Sequence, residues 1–184
     1  MRKDLGPKSL VYPEPVLIIG TYNDDNSANA MNAAWGGVSD TNEIMICLAK
    51  HRTTDNILKR KAFTVSFADE EHVAECDYVG LVSGNEVPNK LEKVKFHTTK
   101  SSIIDAPLID ELPVALECEL ISYDDSTGHL FGSIKNVSVD EKIMTDGKVD
   151  LSKYHPVMFD GLNHEYRRIG DKVADAFKIG KTIE

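Results

Sequence analysis

The chain predicts a mostly β fold, one barrel or sandwich domain with three or four helices, and three observations lead there. Short apolar or alternating runs recur along the whole length, bounded by Asn, Asp, Gly and Pro, which is the pattern of many short strands. Two of them, Leu112 to Tyr123 and His129 to Val139, form a long hairpin around Asp124-Asp125-Ser126-Thr127-Gly128. No repeat, linker or low-complexity stretch divides the 184 residues, so residues 1–184 are expected to form one domain. Strands of this kind favour closure into a barrel or sandwich.

The elements follow in order. Val16 to Tyr22, entered from Pro13 and Pro15, reads as the first strand, and Asn23-Asp24-Asp25-Asn26 as a turn. Ala28 to Val38 is small and mixed. Glu43 to Lys50 reads as a strand with Ile44, Ile46 and Leu48 on one face and Met45, Cys47 and Ala49 on the other, so both faces are expected to be buried. His51 to Lys61 predicts a helix capped by Thr53 or Thr54, with Lys59-Arg60-Lys61 at the negative end of its dipole. Phe63 to Ala68 alternates as a strand. Asp69 to Val82 predicts a second helix with acidic residues in its first turn, and Pro88 opens a short third one. Asp146-Gly147 marks a turn, Val157 to Ile169 holds the last strand, and Val173 to Phe177 is a short amphipathic ending.

Composition excludes several functions. A net charge of −9 repels phosphate backbones, which argues against nucleic-acid binding. No run approaches the ~20 consecutive apolar residues of a membrane span, and the start of the chain lacks the apolar stretch of a signal peptide, so a cytoplasmic protein is expected. Cys47, Cys76 and Cys118 are far apart, no His-Glu-x-x-His occurs, and no metal site is expected.

Three segments could carry chemistry. Ser27 to Gly37 is low in bulk and rich in amides. Small residues let another molecule approach the backbone, and Asn29 and Asn32 offer donors and acceptors, although composition alone favours plain packing. Arg52-Thr53-Thr54 stands where a strand leads into a helix, and free N–H groups there attract phosphate. An ordinary capped helix with a solvated arginine explains the same residues. Ser83-Gly84-Asn85 with Lys90 could touch a phosphate, but it lacks the ending of a nucleotide P-loop and reads as well as a surface loop. Glu117 and Glu119 read as a half-exposed strand face, His129 as a structural hydrogen-bonder, and Cys47 as a small core residue. No nucleophile or acid–base signature stands out.

Taken as an ordered set, these pieces resemble the flavin reductase-like, FMN-binding split-barrel family, of flavoredoxin type. The matching segments are Pro15-Val16-Leu17-Ile18, Asn29 to Gly37, Arg52 to Ile57, Phe63 to Ser66, Asp77 to Gly84 with Lys90, Ala106 to Ile109, Leu116 to Cys118, Gly128 to Gly132 and Phe177 to Lys181. The resemblance implies a six-stranded antiparallel split barrel of Greek-key type that forms a homodimer with FMN near the interface. It places Asn29, Ala30, Met31, Asn32, Ala33, Ala34 and Trp35, with Cys47, Leu48 and Ala49, along the isoalloxazine ring. Arg52, Thr53, Thr54, Ser83 and Lys90 would gather at the ribityl phosphate, and Asn56 and Gly84 are further cofactor-binding residues. It implies an NAD(P)H-dependent flavin reductase, or alternatively an FMN electron carrier serving a protein partner. The cofactor carries the redox chemistry, so no catalytic side chain is expected.

Overall fold

The computed structural model describes residues 1–183. Its centre is one antiparallel sheet of seven strands: β1 (Leu17–Tyr22), β2 (Ala28–Ala33), β3 (Gly36–Asp40), β4 (Glu43–Cys47), β5 (Ala62–Phe67), β6 (Val114–Asp124) and β7 (His129–Val139). They run in the order β2-β1-β5-β6-β7-β4-β3. Among the described residues three α-helices accompany the sheet: α1 (Arg52–Arg60), α2 (Val73–Leu81) and α3 (Lys90–Lys93).

Topology explains the curl. β2 and β3 are opposite edges of the sheet, yet only Ala34 and Trp35 lie between them. Such a link spans at most roughly 11 Å, so the sheet must bend until its two edges meet. The result is a half-closed barrel, split where β2 and β3 part. The expected six strands become seven because the small-residue run from Ala28 breaks at Ala34-Trp35 and supplies both edges.

Alternation along β1 sends side chains into two cores. Leu17 and Ile19 face the barrel interior with Ile44, Ile46, Leu48, Phe63, Val65, Cys118 and Leu130, and Ile57 of α1 joins them. Ile18 and Ala30 face outward against Cys76 and Val79 of α2 and against Leu91, Phe96 and Ile109. Both faces of β1 are therefore covered, which is why it reads as an unbroken apolar run.

Several expectations need correction. The strand from Glu43 ends at Cys47, and only its Ile44/Ile46 face is buried. Met45 and Cys47 are half-open, because they lie on the outer face of a strand next to an edge. Neither threonine caps α1: the N-cap is His51, without a side-chain bond, and both threonines lie inside the first turn. α2 begins at Val73, because the Asp69 carboxylate accepts from His72 N and holds a turn ahead of it. The last strand is a hairpin, Val157–Asp160 with Glu165–Arg168. Val173 to Asp175 is irregular chain. A turn leads instead to a short 3₁₀ segment, Ile179–Thr182. The long hairpin and the Asp146-Gly147 turn are as expected.

Glu117 departs most from expectation. It is 2 % exposed, accepting from Ser101 Oγ and from Asn136 Nδ2 at 2.6 Å. Its face of β6 is covered at this end by the segment around Ser101 and open beyond Glu119. Alternation shows which residues share a face but not which loop covers it.

A candidate flavin site at the start of helix α1

Four residues separate β4 from α1, so the helix N-terminus is fixed at the barrel's end. Its first backbone bond runs from Asp55 N–H to His51 O, and no side chain caps the turn. The amides of the first turn therefore keep donor capacity and the positive end of the dipole. Thr54 Oγ1 donates to Ala49 O at 2.7 Å and fastens the turn to the preceding loop.

Polar side chains converge here from distant segments. Asn29 on β2 is buried and donates through Nδ2 to Thr53 Oγ1 at 2.8 Å, so the threonine hydroxyl keeps its own hydrogen to donate. Arg52 Nε donates to Asn23 Oδ1 at 3.0 Å, and its Nη1 to Asn85 Oδ1 at 3.2 Å. Asn56 Nδ2 donates to the same Asn23 oxygen at 2.9 Å and to Thr21 Oγ1 at 3.1 Å. Gly84 closes the group. A Cβ there would lie within 3.0 Å of Asn29 Oδ1 and 3.5 Å from Arg52 Cγ, so only glycine lets this loop approach so closely.

The expected site residues divide. Asn29, Arg52, Thr53, Thr54, Asn56 and Gly84 come together, with Ser83 in the same loop, where its hydroxyl accepts from Asn85 N. Lys90 takes another position. It is 2 % exposed, and its Nζ donates to Val79 O at 2.8 Å and Val82 O at 3.0 Å, tying down the end of α2 and the root of the Ser83–Gly84 loop. Burial lowers its ammonium to about 8. It supports the loop from behind.

The segment expected along the ring splits by alternation. Met31 and Ala33 turn to the barrel interior, whereas Ala30 faces α2. Asn32 also turns there, donating to Cys76 O at 3.1 Å, and Gly80 is needed opposite because a Cβ would come 2.6 Å from Asn32 Cβ. Beside it Tyr166 donates to Asp77 Oδ1 at 2.6 Å. Burial and that carboxylate raise its phenol to about 12. Ala34 and Trp35 form the link between the sheet edges. Trp35 is 59 % exposed, and its carbonyl accepts from Cys47 N at 2.8 Å, which joins two expected ring neighbours. The Leu48 side chain is in the core, and Ala49 is exposed.

Asn23 reads in the sequence only as a turn residue, and Asn85 only as part of the Ser83-Gly84-Asn85 loop; neither is expected as a partner of Arg52. The signal for Asn23 is its place directly after β1, and for Asn85 its place directly after Ser83-Gly84.

A cluster of donors at a helix start therefore faces a small-residue strand on a split barrel. The family model for the flavin reductase like domain matches residues 9–160. The chain belongs to this family. As a member it is a flavin-binding redox protein. Its structure resembles flavoredoxin of Desulfovibrio vulgaris (Miyazaki F), with TM-score 0.93 and 36 % identity over 98 % of this chain and 100 % of that one. A flavoredoxin from Methanosarcina acetivorans gives TM-score 0.88 and 26 % identity, with both chains fully covered. An uncharacterized protein of Aeropyrum pernix is 25 % identical over 157 residues, which is 83 % of this chain and 59 % of that relative's length.

Proposed function

We propose that the protein binds FMN and acts as an NAD(P)H-dependent flavin reductase. The observation that supports it most is Arg52. Its guanidinium is held by two amides at an uncapped helix start, next to a threonine hydroxyl and a glycine cradle. That donor set suits a phosphate, so the residues fit the phosphate end of FMN. Arg52, Thr53, the first-turn amides of α1 and the Ser83–Gly84 loop would bind that end, while Trp35, Cys47 and the β2 backbone would border the ring. The bound flavin supplies hydride and electron transfer. The chain's own part is to bind, orient and shield.

A second reading is an FMN electron carrier that meets a protein partner. The 36 % identity to a flavoredoxin favours it, and a net charge of −9 would steer a basic partner. A homodimer belongs to either reading. Val173 and Phe177 are 98 % and 96 % exposed on a hydrogen-bonded ending, as expected of an arm that covers a second copy. Among the described residues no helix is long and apolar enough to cross a membrane. We place the protein in the cytoplasm.

Anaerobic stopped-flow mixing of FMN-loaded protein with NADH or NADPH tests the proposal. Flavin bleaching within seconds is expected of the reductase. No bleaching over many minutes with either nucleotide refutes the reductase and leaves the carrier. Protein that retains no flavin after gel filtration refutes both.

A further inference from the structure

Resting on the FMN reading, we infer that Asn23 and Asn85 are positioning residues: they hold the Arg52 guanidinium with neutral acceptors and leave its full charge to a phosphate monoester. The contrast with the other arginines carries this. The chain has five, and its surface is acidic. Arg60 pairs with Asp105, Arg167 with Asp160 and Arg168 with Glu70, while Arg2 lies in the exposed first segment. Arg52 is half-buried and, among the described residues, makes two side-chain hydrogen bonds, both to amide oxygens and neither to a carboxylate.

Carboxylates are close by but engaged elsewhere. In the turn Asn23-Asp24-Asp25-Asn26, Asp24 is bound by Lys59 at 2.5 Å, and Asp25 accepts from Ser27 N at 3.0 Å and Ser27 Oγ at 2.5 Å. Lys59 and Ser27 respectively are the main reasons that these two carboxyls ionise more readily than usual. The Arg52 charge is a smaller cause in each. The residue of this turn that faces Arg52 is the amide. Its orientation is fixed: Asn23 Oδ1 accepts from Arg52 and Asn56, while Nδ2 donates to Ser27 Oγ at 2.9 Å. A flipped amide would break all three bonds. Asn85 holds the other side of the guanidinium from the loop that Gly84 brings in.

An aspartate at either position would accept the same bonds and also pair with the guanidinium, cancelling the charge that a phosphate needs. Riboflavin, which lacks the phosphate, gains nothing from that charge. The amide clamp therefore bears on the choice between FMN and riboflavin.

The test uses Asn85→Asp, because Asn85 is exposed and its replacement leaves the core intact, together with Asn85→Ala and Arg52→Ala. Dissociation constants for FMN and riboflavin are measured by flavin fluorescence at low and moderate salt. Asn85→Asp is expected to weaken FMN about tenfold or more, to flatten the salt dependence and to bring the FMN-to-riboflavin ratio towards that of Arg52→Ala. Asn85→Ala, which removes one neutral bond, is expected to change FMN affinity by roughly threefold or less. If Arg52→Ala loses the ratio while Asn85→Asp keeps it, the clamp is refuted and the phosphate site stands. If Arg52→Ala also keeps the ratio, both fail.

Discussion

Gly84→Ala tests whether the candidate site is one packed unit. Gly84 has no left-handed φ, so the cost arises from space rather than backbone strain. The new Cβ would lie within 3.0 Å of Asn29 Oδ1 and 3.4 Å from Asn29 Cγ. Asn29 cannot retreat freely, because it is buried and bound to Thr53 Oγ1 at 2.8 Å. Either that bond breaks or the Ser83–Gly84 loop lifts off Arg52. A broken bond between buried groups costs about 1–3 kcal/mol. The loss of glycine's freedom in the unfolded chain returns about 0.4–1 kcal/mol. The net is a destabilisation of roughly 1–2 kcal/mol, or about 2–8 °C in Tm for a chain of this size. FMN affinity should fall with it, since Thr53 and Arg52 move together. Differential scanning fluorimetry and an FMN titration read both effects. Gly170→Ala is the stability control, because nothing among the described residues lies within 4 Å of its Cβ position. A Gly84→Ala protein with wild-type Tm and wild-type FMN affinity would show that the loop does not rest on Asn29, and the site as described would be wrong.

Three further outcomes are expected. Glu117→Gln should lower stability by about 1–3 kcal/mol in chemical denaturation, because its new N–H₂ would face donors; Ser101 Oγ already accepts from Ile103 N and Ile104 N. An unchanged midpoint refutes the buried acceptor role. Lys90 titrates near 8 when folded against 10.5 ordinarily, so the unfolded chain binds more protons between those values and stability should rise with pH there. The stability difference between wild type and Lys90→Met should therefore shift in favour of wild type from pH 8 to 10, by at most about 2 kcal/mol, and a constant difference would count against the burial of a charged amine. Finally, Phe177→Glu should shift the protein towards the monomer mass in light scattering at low concentration, whereas an unchanged mass means this arm covers no second copy.

The fold class, the long hairpin, the Asn/Asp/Gly turns and the approximate place of α1 are legible in the residues alone. Strand alternation, turn chemistry and helix punctuation act within a few residues, so they can be read locally. The ordered set of segments carried the family as well, since that is a property of the whole string. What faces what depends on how the elements pack in three dimensions. Glu117 is buried because a loop some 16 residues earlier in the chain lies over it. Lys90 braces α2 from within because burial brings its stem under Val79 and Val82. Asn23 and Asn85 meet Arg52 across separations of 29 and 33 residues. Those partnerships arise from packing between elements, where two amides and an arginine become a site only once the sheet has curled and Gly84 has let its loop come close.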